Sequence, residues 1–456
     1  MPIDTQNPEY MNSLPKWTLV RKCVAGAKAV RAAGTLFLPD PELSEGDKNK
    51  RYAPYKARAQ FLNVTARTRN AMVGMAFRRP PQSELKGIEY IGKNATGSGT
   101  SLDQLGKVVT GDLLEVGRIG LLVDYPAAEQ GLSKEQINAS GFKASIKVYT
   151  AENIINWKTI LIGGESVLSL VVLLEKHDIS KDEFDQETKR QYRVLKLEEG
   201  KYTVEIWQDD KFFSSFQPRA NGKLLDRIPF VIAGTYSNDP SVDDAALYDI
   251  AEINIGHYRN SADYEEGIFL HGQPMLHIDT GAMTASEFES INPNGIEVGA
   301  RRGIATNGGG SASLLQAGSN GAAYEAMKQK EDQMVSIGAR VITSGGQAET
   351  AEASRIKHAG DNSVLNNIVQ NASAAIETAL GWVALFMGVN VEQIYNINDD
   401  FYDKGIDPQL LMAKIQLLDR GVIAKQDVRT TLRKAGEINR TDEEIDIDAQ
   451  ESSPIE

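Results

Sequence analysis

Few side chains in this sequence have the type and spacing that catalysis or metal binding requires. His271, His277 and Asp279 form the best metal candidate, because imidazole and carboxylate groups are both zinc ligands. Their spacing matches no standard zinc motif, and histidines without a metal are far commoner. The single cysteine, Cys23, would be a nucleophile only if its surroundings lowered its pKa. We therefore expect neither a metal ion nor a cofactor.

Other candidate groups also have a plainer explanation. The acid pairs Asp243–Asp244 and Glu265–Glu266 could act in acid–base catalysis, but solvated helix ends and a charged helix face account for them better. The glycines 308–310 could hold phosphate, although a loop tip is the commoner role. The sequence has no P-loop, no Gly-x-Ser-x-Gly elbow and no His-Glu-x-x-His. We expect a protein that is not an enzyme, with an unrecognised hydrolase-like active site as the alternative.

Composition limits the class of protein further. The chain has 456 residues, of which 41% are hydrophobic and 24% charged, which is typical of packed domains. Its net charge of -13 argues against a protein that grips duplex DNA along its whole surface, because such binding relies on phosphate neutralisation. One cysteine excludes an internal disulfide framework. We find no signal peptide or membrane-length apolar run, and expect a soluble cytoplasmic protein.

The first half of the sequence predicts a mixed helix and strand region. We expect residues 1–50 to be mostly irregular and residues 51–79 to be helical. Apolar residues at spacings of three and four predict a helix over 101–116. Apolar runs and alternating patterns then predict successive strands at 119–123, 143–149, 166–175, 192–197, 202–206 and 230–233. Because the strands do not alternate with helices, the fold class is α+β rather than a doubly wound sheet.

The second half is mainly helical. Ser241 followed by acids predicts a helix N-terminus, and the helix should continue to about Glu266. A turn-rich segment with short strands at 275–278, 295–298, 303–305 and 313–315 comes next. Helices are predicted over 321–341 and 349–387, the second with a kink at Gly360, and a helical pair over 407–438. The acidic tail from residue 437 should be disordered.

Residues 51–79 contain seven basic side chains and no acid. Such a segment could be a nucleic-acid patch. It could also pair with acidic groups of a neighbouring subunit in an oligomer, which we favour because its aromatic residues do not interleave in a stacking pattern. The basic residues are Arg51, Lys56, Arg58, Arg67, Arg69, Arg78 and Arg79.

The order of these elements resembles the portal proteins of tailed double-stranded DNA bacteriophages, in particular a compact podophage-like group. Residues 114–125, LEVGRIGLLVDY, look like that family's passage from helix to strand in the wing. Residues 228–232, IPFVI, with the acidic helix after them, look like the start of the stem, and residues 421–428, GVIAKQDV, resemble the helical C-terminal region. Each motif is weak alone, and the likeness rests on their combined order over roughly residues 50–438.

The resemblance implies a portal fold that assembles as a ring, a dodecamer in the family's pattern. It divides the chain into an N-terminal arm and wing (1–240), a first stem helix (241–271), a clip (272–320), a second stem helix (321–342), a tunnel loop (343–353), a long wing helix (354–387), and a short crown with an acidic tail (388–456). The short crown departs from portals with a long internal barrel. This difference puts in doubt any role in pressure sensing or ejection that depends on such a barrel.

The resemblance also implies partners and contact residues. The ring would sit at the portal vertex of the virion capsid, after assembly in the host cytoplasm, and double-stranded DNA would pass through it. Its protein partners would be the terminase large subunit, the major capsid protein and scaffold, and tail adaptor proteins. The implied DNA-channel residues are Gly345, Gly346, Gln347, Glu349, Thr350 and Glu352 in the tunnel loop, with Lys328 and Lys330 in the stem. Arg301 and Arg302 are the implied clip contacts.

Lys328 and Lys330 have an equally good alternative role. They could form salt bridges with acids of the first stem helix in a neighbouring subunit, while those acids repel phosphate and keep DNA mobile. Two further classes of protein remain open beside the hydrolase. One is another connector ring component of a phage. The other is a monomeric binding scaffold, which would bury Ile250 and Ile253 within one chain.

Overall fold

The computed structural model describes most of the chain. The described residues are 2–41, 51–125, 142–180, 182–272, 275–293, 309–315, 321–339, 351–399, 401, 408–434, 442 and 445–446. Helices and strands are both abundant in them, which confirms the α+β class. Among these residues no helix combines the length and apolar character needed to cross a membrane.

Twelve α-helices occur in the described part of the chain. They are α1 (Pro8–Ala25), α2 (Ala27–Ala32), α3 (Tyr52–Arg58), α4 (Val64–Ala76), α5 (Tyr90–Lys93), α6 (Leu102–Val116), α7 (Tyr248–His271), α8 (Ala285–Ile291), α9 (Ala322–Met334), α10 (Ala351–Met387), α11 (Pro408–Asp419) and α12 (Lys425–Lys434). A π-helical turn, Val335–Ala339, extends α9. The predicted terminal helical pair is confirmed as α11 and α12, with Gly421 in the turn between them.

Helix α6 forms where the sequence predicts it. Ser101 and Gln104 make reciprocal side-chain to backbone hydrogen bonds at its N-terminus, a capping box that satisfies two otherwise unpaired amides. Gly117 ends the helix in the left-handed conformation, with φ of 73°. The apolar stripe from Leu102 to Val116 is buried, so this helix is part of the core.

The prediction for residues 1–50 is wrong, because most of the described part of that segment is helical. Asn7 caps α1 by accepting a hydrogen bond from the amide of Glu9, and Pro8 occupies the first turn, where proline is tolerated. Trp17, Val20 and Cys23 of α1 are buried. Their stripe is narrow and lies among polar residues, so the sequence pattern did not reveal it.

Two antiparallel sheets dominate the strands. One has three strands in the order β11 (Phe230–Gly234), β2 (Arg118–Asp124) and β3 (Ser145–Thr150). The other is a five-stranded meander of β4 (Ile154–Ile162), β5 (Glu165–Asp178), β6 (Thr188–Glu198), β7 (Lys201–Gln208) and β8 (Lys211–Phe216). The predicted strands in this region are confirmed. Short two-stranded pairs join β1 (Gln82–Glu84) to β14 (Ile394–Asn396), and β9 (Arg219–Ala220) to β10 (Lys223–Leu224).

The long helix α10 covers the three-stranded sheet. It runs as one α-helix of 37 residues through Gly360 and packs against α6, β2 and β11. Its buried residues recur every three or four positions and include Leu365, Ile368, Ala372, Ile376 and Leu380. After α10 the chain returns to the same body, where β14 pairs with β1 and Tyr395 is fully buried.

Candidate functional site: a helix pair and its junction with the sheet

Helices α7 and α9 form an antiparallel pair, which we call the helix pair. The rings of Tyr264 and Tyr324 lie 5.8 Å apart between their centroids. Nearer the other end, His257 Nε2 lies 3.1 Å from Glu331 Oε1. These contacts join early residues of one helix to late residues of the other, so α9 runs back along α7.

A short β-hairpin lies in sequence between the two helices. Strands β12 (Met275–Asp279) and β13 (Ser311–Leu315) pair antiparallel, which confirms the predicted strands at 275–278 and 313–315. Helix α8 follows β12, capped by Thr284 and Glu287 in a second capping box. The predicted strands at 295–298 and 303–305, and the clip residues Arg301 and Arg302, lie outside the described residues.

The two helices of the pair differ in how they meet the rest of the chain. Helix α7 buries Ile250, Ala251 and Tyr258, and packs against α1, α3 and α4. Helix α9 is exposed along most of its length, and Met334 at its end is the buried residue among those described there. The helix pair is therefore attached to the body mainly through α7, and the π-helical turn after α9 also contacts α4.

Helix α7 begins seven residues later than predicted. Ser241 is not its N-cap, because the helix starts at Tyr248 and continues to His271. The carboxylate of Asp243 instead accepts hydrogen bonds from the amides of Tyr236 (2.6 Å) and Ser237 (3.2 Å). Asp243, which was expected in the first helical turn, therefore stabilises the loop before the helix instead of capping it. Asp244 pairs with Lys16 at 3.1 Å.

Three arginines of the basic segment 51–79 pair with acids of their own chain, which differs from the expectation of partners in a neighbouring subunit. Arg51 Nε lies 3.3 Å from Glu266 of α7, and Arg58 also contacts that carboxylate. Arg58 stacks 3.8 Å from the centroid of Phe269. Arg69 Nε binds Glu115 of α6 at 2.9 Å. These contacts fix α3 and α4 to the body.

Three acids of α7 consequently face partners in the same chain. Besides Glu266, Asp263 accepts a hydrogen bond from Tyr55 at 2.7 Å, and Glu265 accepts one from Gln60 at 3.0 Å. Asp249 and Glu252 are exposed. Among these acids only Glu266 is ion-paired with a described residue, so Asp249, Glu252, Asp263 and Glu265 all keep a negative charge that would repel phosphate.

The two lysines singled out on α9 have different environments. Lys328 is exposed and makes no ion pair with the described residues. Lys330 is half-buried, and its aliphatic part lies so close to Gly256 that a Cβ on that glycine would be 3.0 Å from Lys330 Cε. Lys330 is thus partly occupied by packing against α7 of its own chain, whereas the Lys328 ammonium group is free for an external contact.

The tunnel-loop residues Gly345, Gly346, Gln347, Glu349 and Thr350 lie outside the described residues. Glu352 lies in the first turn of α10.

The loop of residues 235–247, which we call the junction loop, connects β11 to the helix pair. The buried Arg118 side chain donates from Nη1 to the carbonyls of Pro240 (2.8 Å) and Ser241 (2.7 Å). Its guanidinium carbon lies 4.1 Å from the Trp157 ring centroid. Burial lowers the pKa of Arg118 to about 10, although nearby carboxylates, first Glu9, favour its charged form.

Gly117 precedes Arg118, and the backbone of the junction loop comes too close to it for a side chain to fit. A Cβ on Gly117 would lie 2.8 Å from the carbonyl oxygens of both Asp243 and Asp244. The motif LEVGRIG therefore contacts the junction loop and holds it in place. Gly117 allows the loop to come close, and Arg118 binds its carbonyls.

Asn371 of α10 joins the long helix to the junction loop. Its Nδ2 donates to the carbonyls of Gly234 (3.0 Å) and Thr235 (3.1 Å), and its own carbonyl accepts from Asn238 Nδ2 at 2.9 Å. The junction loop thus contacts both the sheet and α10. It is one route by which a displacement of the helix pair could reach the long helix; α4, which contacts both α7 and α10, is another.

Replacing Asn371 with alanine should loosen this junction. The change leaves two carbonyls without their side-chain donor, which costs about 1–3 kcal/mol when such groups are buried. We expect faster amide hydrogen exchange in residues 235–247 and a lower urea midpoint. Asn367→Ala is the control, because Asn367 is exposed on the same helix. Equal exchange in the two variants would contradict the role given to Asn371.

The candidate reactive groups do not form a catalytic site in the described residues. Cys23 is fully buried, and burial raises the pKa of its thiol to about 12, so the thiolate is disfavoured. His271 ends α7 and His277 lies on β12. No group of three or more metal-binding side chains is close enough to hold an ion in the part of the chain described.

An open groove of about 390 Å³ lies beside β8. Its lining includes Asp124, His177, Arg193 and Phe213. Arg193 Nε is bound by Glu175 at 2.8 Å, and its Nη1 lies 3.7 Å from Asp124, so its charge is already balanced. Burial alone would raise the pKa of Glu175, but Arg193 and other hydrogen-bond donors lower it overall. Glu175 does not itself line the groove, and it is held as a carboxylate that balances the charge of Arg193.

The sequence analysis missed a buried ionic cluster. Arg21 of α1 binds Asp112 (2.8 Å) and Glu115 (2.6 Å) of α6, and Glu152 (2.8 Å) before β4. Glu115 is also bound by Arg69. A signal was present, since Asp112 and Glu115 are charged residues three positions apart in a helix that is otherwise largely apolar.

Known proteins give a limited set of similarities. A sequence family described as "Domain of unknown function (DUF4055)" matches residues 246–387, which include the helix pair and α10. No curated protein matches the sequence. A chain in a structure described as "Neck of empty GTA particle computed with C6 symmetry" is 13% identical, with a TM-score of 0.42. A chain in "Virion of native gene transfer agent (GTA) particle" is 13% identical, with a TM-score of 0.41. In each case the similarity covers 89% of this chain and 99% of the other.

Proposed function

We propose that this chain is the subunit of a portal ring, a structural protein through which double-stranded DNA enters and leaves a phage-like capsid. The observation that carries the proposal is the arrangement around the helix pair. A long helix leaves the α+β body, a small β-hairpin follows, an exposed helix returns antiparallel, and a 37-residue helix then crosses the sheet. This is the order expected of a stem with a clip at its tip and a long wing helix after it.

In this proposal residues 1–240 form the arm and wing, and residues 241–271 and 321–342 form the stem. Residues 272–320 are the clip, 343–353 the tunnel loop, 354–387 the long wing helix, and 388–456 the crown and tail. In this proposal the junction loop has a mechanical role. Because Arg118 and Asn371 both bind it, a shift of the stem would be transmitted to the sheet and the long helix.

Charge supports transit rather than tight binding of DNA. A chain with a net charge of -13 would not hold phosphates strongly along a whole channel, and strong contacts would oppose sliding. Lys328 is the stem residue best placed for a local phosphate contact, because it is exposed and has no ion-pair partner among the described residues. The tunnel-loop glycines Gly345 and Gly346 would let that loop adjust as DNA passes.

The role requires protein partners but no bound cofactor. The terminase large subunit and, later, tail adaptor proteins would meet the clip, with Arg301 and Arg302 as candidate contacts. The major capsid protein and scaffold would surround the ring at the portal vertex of the virion. The subunit itself would have no catalytic role, since the packaging motor is the terminase.

Imaging of the purified protein by electron microscopy tests the proposal. A ring portal predicts closed particles with a central hole and a mass near twelve times 49.9 kDa. A monodisperse monomer at several salt concentrations would contradict it. That result would favour the monomeric scaffold, which is expected to bury Ile250 and Ile253; Ile250 is buried and Ile253 half-buried in this chain.

A further inference from the structure

Within the described part of the chain, the five-stranded sheet has two edges that are open over part of their length and resemble each other. Its outer strands are β4 and β8, at opposite ends of the order β4-β5-β6-β7-β8. We call residues 158–162 the β4 edge. We call residues 210–216, which are the turn residue Asp210 and strand β8, the β8 edge. Because every neighbouring pair in this meander is antiparallel, β4 and β8 run in the same direction.

Only the first half of β4 is covered. The amide of Asn7 donates to the carbonyl of Ile155 at 2.9 Å, and Asn156 Nδ2 donates to the carbonyl of Thr5 at 2.9 Å. Asn7 Nδ2 also donates to the carbonyl of Trp157 at 3.5 Å. After Trp157, the hydrogen bonds of β4 to the described residues all come from β5, including one from Ser169 Oγ to the carbonyl of Lys158. Three consecutive apolar residues are exposed there: Ile160 at 42%, Leu161 at 78% and Ile162 at 43%.

The β8 edge has the same character. Strand β8 is hydrogen-bonded to β7 alone among the described strands. Phe212 and Phe213 are exposed at 55% and 65%. They lie at a β-bulge, where Phe212 is opposite Trp207 and Phe213 has no paired residue on β7. An edge strand with unpaired backbone groups and exposed apolar side chains is a template for pairing with another chain, and proteins usually protect such edges with charge or proline.

The two edges also match in spacing and charge. Lys158 precedes Leu161 by three residues, and Asp210 precedes Phe213 by three residues. Neither Lys158 nor Asp210 forms an ion pair with a described residue, and both are exposed. In a parallel alignment that places Lys158 beside Asp210, Ile160 lies beside Phe212 and Leu161 beside Phe213. One register thus pairs the opposite charges and the apolar residues together.

We propose that the β8 edge of one copy pairs in parallel with the β4 edge of the next copy, in the register that sets Lys158 beside Asp210. The occupant of each edge is a second copy of this chain, because each copy carries both complementary edges. Such a contact is heterologous, with a different surface on each side, and repeated contacts of that kind close into a ring when the rotation permits. The inference rests on the proposed ring and names a contact within it.

Disulfide cross-linking tests the register in the full-length protein. The variant Thr159→Cys with Lys211→Cys places two exposed cysteines side by side in the proposed register, where neighbouring strands are about 4.8 Å apart. Within one chain these positions are separated by four strand spacings, roughly 19 Å, which is too far for a disulfide. The natural Cys23 is fully buried and should not react. Thr159→Cys with Ser215→Cys is the out-of-register control.

Mild oxidation should convert the first variant into a ladder of linked copies on a non-reducing gel, and the control should remain mostly unlinked. Rings seen by microscopy without a ladder would overturn the edge contact and leave the portal proposal standing. Equal ladders from the two variants would overturn the register. If the protein forms neither rings nor a ladder, both the contact and the portal proposal fail.

A charge exchange gives a second measurement without new cysteines. Lys158→Asp and Asp210→Lys each place like charges in contact, and each should cause a severalfold loss of ring yield. Their combination restores opposite charges and should recover most of the yield. Both side chains are exposed, and circular dichroism checks that each variant folds, which matters most for Asp210→Lys because Asp210 has φ of 61°. Failure of the double variant to recover, with rings still formed by the wild type, would overturn the proposed pairing.

Discussion

Replacing Arg21 with alanine should lower the free energy of unfolding by about 3–5 kcal/mol, the range found when one partner of a buried ion pair is removed. Arg21 contacts three carboxylates that lie mostly out of solvent, on Asp112, Glu115 and Glu152. Without the guanidinium, these like charges remain close together in a region of low dielectric, and among the described contacts only Glu115 keeps another cation, Arg69. The urea midpoint at neutral pH measures the loss.

The loss of stability caused by Arg21→Ala should become smaller as the pH falls. Burial raises the pKa of the Glu152 carboxyl, but the hydrogen bond and charge of Arg21 outweigh burial and hold that pKa below its ordinary value. A lowered native pKa contributes stability above the unfolded pKa of about 4.3, and that contribution is lost as the pH falls through the native value. The gap between wild type and Arg21→Ala should therefore narrow below about pH 4.

The matched control is Arg227→Ala. Arg227 forms a bidentate pair with Glu165, but both side chains are exposed, and exposed pairs contribute little. We expect almost no change in the urea midpoint for this variant. A similar loss in the two variants, or a gap for Arg21→Ala that does not change with pH, would contradict the role assigned to the buried cluster.

Replacing Gly117 with alanine should both destabilise the chain and displace the junction loop. A non-glycine residue in the left-handed conformation costs roughly 1–2 kcal/mol, and here the new Cβ would also meet two carbonyl oxygens at 2.8 Å. Those oxygens belong to the backbone of residues 243–244, so relief requires the loop to move. We expect a total loss of at least about 2 kcal/mol and faster amide exchange in residues 235–247.

Gly200→Ala separates the two causes. Gly200 has nearly the same φ as Gly117, 72° against 73°, and no atom lies within 4 Å of the place that an added methyl group would take. It should therefore show the conformational cost alone, with no change of exchange in the junction loop. If Gly117→Ala and Gly200→Ala lower the free energy of unfolding equally and leave amide exchange in residues 235–247 equally slow, the close contact between Gly117 and the junction loop does not contribute to stability.

Local patterns predicted most of the strands and the later helices. The alternation at 192–197 and 202–206, and the apolar stripe of 101–116, reflect burial of one face, which leaves a period that can be read from a sequence. The early start assigned to α7 failed for a different reason. Asp243 can cap a helix or bind a loop, and only the tertiary position of Tyr236 and Ser237 decides between the two.

The candidate site was less predictable than the fold. The glycine and arginine of LEVGRIG could be recognised as a motif, but their roles depend on residues 240–244, far away in sequence. The pairing of Arg51 and Arg58 with Glu266 was equally unpredictable. A run of basic residues in a sequence does not indicate whether its acidic partners lie in the same chain or in a neighbouring subunit. Long-range contacts of this kind leave no period in the sequence.

A reconstruction of the purified particle by cryo-electron microscopy tests the central claim most directly, because it shows both whether copies form a ring and which helices approach its axis. The portal account predicts a closed ring with an open axial channel, and places the helix pair α7 and α9 nearest that axis, with Lys328 turned towards the channel. A ring in which the helix pair lies at the outer rim, or a preparation without rings, would contradict the account.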